Sequence, residues 1–198
     1  MPRDTRTITA ADILPLDQYE LIRKDKKQEA IARKKLTRVA VGPYATAIFE
    51  NWDSMWLQIQ EMLRIEKGGE AQMADELAAY DPMVPKGGEL TITLLFEVED
   101  ERRRDAFLRT IGGVEDHVAI EVGGHVIRAR PEGDVERTRT SDGKASAVHF
   151  FHFDFSPAAI AAWKGGEGSA MLLIDHPNYG HAAVIGAPTR DFLARECF

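Results

Sequence analysis

Two histidines and two glutamates are the residues whose types and spacing best suggest chemistry. His176 and His181 are separated by four residues, Pro177-Asn-Tyr-Gly180. In a simple hairpin this spacing sets them opposite each other on one face. Cross-strand Cβ atoms lie about 5 Å apart, which lets two imidazoles share one ion. Asp175 precedes the pair and is placed to orient it or to join it as a ligand. The competing reading is that Asp175, Asn178 and the histidines hydrogen-bond the turn itself. Glu66 continues the apolar stripe of Trp52, Met55, Trp56, Ile59, Met62 and Leu63, as does Glu70 if the helix runs through Gly68-Gly69. Carboxylates four apart on a core-facing stripe must be paired, protonated or bound to metal. If the glycines end the helix, Glu66 sits at a wet terminus and Glu70 favours the first turn of the next helix.

His152 is a further candidate ligand. Strand alternation puts it on the face of Phe150 and Asp154, and His149 on the opposite face with Phe151, Phe153 and Phe155. Mixed nitrogen and oxygen ligands without thiolate suit iron, manganese or zinc equally. The set is therefore His176, His181 and a carboxylate from Glu66 or Glu70, with His152 able to complete it. Asp142-Gly-Lys144 reads either as an anion-binding turn or as a plain one. The single cysteine, Cys197, cannot form an internal disulfide or a thiolate metal centre within one chain. No nucleophile elbow, P-loop or dinucleotide fingerprint is present.

The elements that must position these residues read as an α+β protein. The 198 residues are expected to form one domain, with a helical portion at 1–86 containing a short hairpin. Thr9 and Asp12 form a capping-box pattern, and a helix is expected over 17–35. Gly42-Pro43 turns two short strands, and a long helix interrupted at Gly68-Gly69 follows. Residues 87–198 repeat one order of elements, β-α-β-β, twice. Strands at 90–98 and 147–155 each lead through a helix into a hairpin, at 118–129 and 171–185. Gly123-Gly124 suits a type I′ turn, and Ser156-Pro157 is an N-cap and N1 pair. The two units are expected to share a largely antiparallel sheet.

Five stretches together resemble one family over nearly the whole chain. They are Ile13-Leu-Pro-Leu-Asp-Gln-Tyr19, Arg38-Val-Ala-Val-Gly-Pro-Tyr44, Glu61-Met-Leu-Arg-Ile-Glu-Lys-Gly-Gly-Glu-Ala-Gln72, Asp142-Gly-Lys-Ala-Ser146 and Asp175-His-Pro-Asn-Tyr-Gly-His181. The family is the bacterial domain of unknown function 3501. The resemblance carries over no activity, cofactor or catalytic residue. Its members are often encoded beside rubrerythrin-like proteins and iron–sulfur oxidoreductases. By association this implies redox or oxidative-stress physiology and partners of those kinds.

Charge and hydropathy bound the setting. With 44% hydrophobic and 29% charged residues the chain is globular rather than disordered. Its N-terminus lacks the apolar core of a signal peptide, and no run is long enough for a bilayer, so the cytoplasm is the expected address. A net charge of −7 disfavours nucleic acid as a partner. Residues 20–38 nevertheless hold eight basic side chains against three acidic ones, which is +5, leaving −12 for the remainder. The functional expectation is thus a metal-binding or redox-accessory protein. The rival is a non-catalytic interaction module whose basic helix docks an acidic partner or a second copy as a homodimer. A solvated helix balanced by the acidic remainder accounts for the same charge pattern.

Overall fold

Among the described residues of the computed structural model (5–133, 138 and 142–198), nine strands form two antiparallel sheets and six α-helices surround them. The first half begins with a 3-10 turn at Ala10–Asp12, closed by the Thr9 and Asp12 capping box. Helix α1 (Leu16–Thr37) follows, then the hairpin β1 (Arg38–Val41) and β2 (Ala45–Phe49). Helix α2 (Trp52–Glu66) starts at Asn51, whose side chain accepts from the Ser54 amide. It stops at Lys67, which is left-handed at φ 55°, and α3 (Gly69–Tyr80) starts anew.

The second half has the expected repeat. One unit is β3 (Glu89–Phe96), α4 (Glu101–Thr110), β4 (Val118–Val122) and β5 (His125–Arg128). The other is β7 (Val148–Asp154), α5 (Pro157–Gly165), β8 (Ala170–His176) and β9 (Tyr179–Ile185). Between them lies the short β6 (Arg130–Pro131), and α6 (Ala187–Glu196) ends the chain. The units do not share one sheet as expected. Their first strands meet in a five-stranded sheet of order β1-β2-β3-β7-β6, and their hairpins meet in a four-stranded sheet of order β5-β4-β8-β9. Periodicity sets each strand's faces but carries no information on which sheet it joins.

The main core lies between the sheets. Phe49, Ile92 and Phe151 form one row across the first sheet, and Ile120 and Leu172 pair in the second. Leu108, Trp163 and Leu193 bring α4, α5 and α6 into the same cluster. The opposite face of the first sheet carries the row Ile48, Thr93 and Phe150. A second, smaller core covers part of that face: Tyr19, Met55, Trp56, Ile59, Met83 and Val84, with Phe150 packed against it. Helix α1 is held there at its ends, where Tyr19 and Thr37 are its buried residues. Its middle has little to bury, and this leaves a gap between helix and sheet.

Candidate functional site

The sequence-derived metal ligands are not brought together. The β8–β9 hairpin turns on Pro177-Asn178 alone, so His176 pairs with Tyr179 and Ile174 with His181. The two histidines share a face but sit two residue pairs apart, because the turn is two residues rather than four. Both ring nitrogens of His176 are engaged. Nε2 meets the Gly112 carbonyl at 3.2 Å, and Nδ1 accepts from the Asn178 amide. The His181 ring packs on Tyr179, with centroids 4.4 Å apart. Asp175 binds His117 at 3.0 Å and Arg128 at 2.8 Å.

Glu66 and Glu70 are both exposed rather than core-facing, because Lys67 breaks the stripe between them. Glu66 accepts from Gln72, and Glu70 lies in the first turn of α3. His152 is buried between two carboxylates, with Nδ1 on Glu89 at 2.8 Å and Nε2 on Glu132. Those carboxylates take opposite ring nitrogens, so they flank the imidazole instead of converging on a shared point. Among the described residues, no three His, Cys, Asp or Glu side chains form a group able to hold a metal ion.

Other expected features are used structurally. Lys144 binds Asp105 and Asp142 binds Arg109, which ties that turn to α4. Burial pushes the Cys197 thiol up to about 12, so it is no thiolate nucleophile. Much of the basic charge of α1 is spent within the chain. Arg23 grips Glu61 through two nitrogens, Lys27 lies 3.8 Å from the same carboxylate, and Arg33 pairs with Asp53 at 2.8 Å.

The structure draws attention instead to a cleft of about 550 Å³ beneath α1. Ile48, Thr93, Phe150 and Glu50 lie along the sheet side. Lys27, Ile31 and Lys34 come from α1, while Met55, Met62 and Ile65 come from α2, and Tyr80 from α3. Such a lining is mainly apolar with a few convergent polar groups, the usual make-up of a small-molecule site.

Glu50 is the unusual member. It follows the last residue of β2 and is 6% exposed. Ser54 Oγ donates to its Oε2 at 2.6 Å, and Thr93 Oγ1 donates to its Oε1 at 2.7 Å. Burial raises its pKa, opposed by those two hydroxyls and by the charge of Lys34. A buried carboxyl drawn toward its neutral form, at a cleft, is the kind of group that sites use to bind or exchange a proton. Sequence reasoning passed over Glu50, although a signal was available. In the alternating run Ala45-Thr-Ala-Ile-Phe-Glu50, period two puts Glu50 on the face of Thr46 and Ile48, just before the N-cap at Asn51.

The protein-of-unknown-function family DUF3501 matches residues 7–197, so the chain belongs to that family. A protein of unknown function from Burkholderia pseudomallei K96243, known from a crystal structure at 1.90 Å resolution, has the same fold. It is 36% identical, with a TM-score of 0.87 over 96% of this chain and 98% of that one. No functionally curated protein matches. Among the described residues, no helix is long and apolar enough to cross a membrane.

Proposed function

We propose that this protein binds a small, largely apolar molecule in the cleft beneath α1. The observation that carries this reading is Glu50. A carboxyl group has been buried beside an apolar cavity with hydroxyl partners but no ion-pair partner among the described residues. Burying such a group against a volume open to a ligand is costly unless the site uses it. The exposed apolar residues agree. Ile31 is 62% exposed and Ile65 66%, and both line this cleft. The metal and redox-accessory reading needs His176, His181 and a carboxylate to converge, and their separate partners favour the cleft instead. Docking of a protein partner by the basic helix is weakened by the ion pairs that Arg23, Lys27 and Arg33 make within the chain.

The test is a fluorescence titration with 1-anilinonaphthalene-8-sulfonate, an apolar aromatic anion. Ala30 lines the cleft from α1 and is replaced by tryptophan to fill it. Saturable one-site binding to the wild type, lost in Ala30→Trp at unchanged melting temperature, is the expected result. Equal binding by the two proteins contradicts the proposal.

A further inference from the structure

We propose that the ligand of this cleft is an amphipathic monocarboxylate, with its head at Asn51 and Lys34 and its apolar tail along Ile31, Met62 and Ile65. This rests on the cleft being the binding site.

Asn51 supplies the first ground. It is 1% exposed, and its Nδ2 has no hydrogen-bond partner among the described residues. Buried amide donors are almost always paired, and an orphan asks for an explanation. Amide orientation is fixed here, because Oδ1 accepts from the Ser54 amide at 2.9 Å and caps α2. Exchanging the two ends would set an NH2 against an N–H. What Nδ2 lacks is therefore an acceptor, and Asn51 lines the cleft.

Lys34 supplies the second. It lines the same cleft and makes no ion pair within 4.0 Å among the described residues, although its charge is felt by Glu50. The other two cations at the cleft are engaged, Arg33 by Asp53 and Lys27 by Glu61. A cation without a close ion pair beside a donor without an acceptor suits one anionic acceptor, and a carboxylate satisfies both. Glu50 has both oxygens occupied, by Ser54 and Thr93, and burial raises its pKa, which lessens its opposition to a second carboxylate.

The remainder of the cavity selects the tail. Ile31, Met62 and Ile65 offer no hydrogen bonds, and the two isoleucines are exposed where nothing covers them. An aliphatic or aromatic chain removes that surface from water.

Isothermal titration calorimetry with decanoate at pH 7 tests the assignment, with 1-decanol as the headless comparison. Asn51→Asp keeps the oxygen that caps α2 and deletes the amide donor. Lys34→Met, at an exposed position, deletes the charge and keeps much of the chain. The expected result is one decanoate bound per chain, weakened at least tenfold in each variant, and decanol bound more weakly than decanoate by the wild type. Equal decanoate binding in wild type and both variants overturns the proposal, as does decanol binding as tightly as decanoate. Decanoate failing to bind a protein that still takes up 1-anilinonaphthalene-8-sulfonate in an Ala30-dependent way overturns the carboxylate alone. Failure of both ligands overturns the cleft reading with it.

Discussion

The hydroxyl of Tyr179, on β9, donates to the Val41 carbonyl on β1 at 2.7 Å. The same oxygen accepts from the amides of Tyr44 and Ala45, each at 2.9 Å. One phenol thus closes the β1–β2 turn of the first sheet from the second. Beside it Gly42 has φ +70°, and a Cβ there would lie 2.5 Å from the His181 ring. The stretch ending in Tyr44 and the stretch ending in His181 therefore form a single joint. Tyr19 and Glu61 join another two stretches in the same way, with a hydrogen bond of 2.6 Å. The histidine-bearing turn is used to hold the two sheets together.

Tyr179→Phe leaves one buried amide, one part-buried amide and a carbonyl without this partner. It is expected to cost roughly 2–4 kcal/mol of stability. Urea denaturation of wild type and variant measures this, and an unchanged midpoint contradicts the role.

Glu61 anchors α1 to α2. The hydrogen-bonded Arg23 guanidinium, aided by Tyr19, holds its pKa down at about 2. A depressed carboxylate contributes stability above its unfolded value, roughly 4.3, and loses it as pH falls toward the native value. Glu61→Gln is expected to destabilise at neutral pH by about 2 kcal/mol. The wild-type advantage should disappear between pH 4 and pH 2, as read by thermal melts across that range.

Glu50 has the opposite sign. Burial raises its native pKa, so the folded state binds its proton more tightly than the unfolded state does. Stability attributable to this group falls as pH rises from roughly 4.3 through the native value. Glu50→Gln, which can keep both hydroxyl contacts, is expected to be more stable than wild type at pH 8 and to lose that advantage at pH 4. Urea midpoints at the two pH values report the difference.

His152 adds a second pH dependence. Burial alone lowers its pKa, but the bonds to Glu89 and Glu132 outweigh burial and raise it. A raised histidine contributes its full stability below the unfolded value of roughly 6.5 and loses it as pH climbs through the native one. His152→Gln is expected to flatten the decline in stability above pH 6.5. A decline of equal slope in wild type and variant contradicts the imidazolium clamp.

Much of the chain was readable because its signals are local. Gly123-Gly124, Ser156-Pro157 and Gly42-Pro43 each act within a turn, and each appears where expected. The order β-α-β-β, twice, follows from them. Assignment of strands to two sheets was not readable, since it depends on β3 meeting β7 and β4 meeting β8 across 50 or so residues. The histidine pair misled for a related reason. Spacing gives a face only once the turn length is known, and a two-residue turn at Pro177-Asn178 moves the register. Glu50 went unnoticed because one carboxylate after a strand looks like a surface residue until a helix is seen to cross over it.

The central claim is tested most directly by mapping where the ligand sits. Two-dimensional 1H–15N NMR of the labelled protein, titrated with 1-anilinonaphthalene-8-sulfonate, reports each backbone amide separately. The cleft account predicts the largest shifts at Ile31, Glu50, Asn51 and Thr93, which surround one cavity from α1, the end of β2 and β3. Shifts concentrated instead around Val126 and Val184, exposed apolar residues of the second sheet, would contradict it.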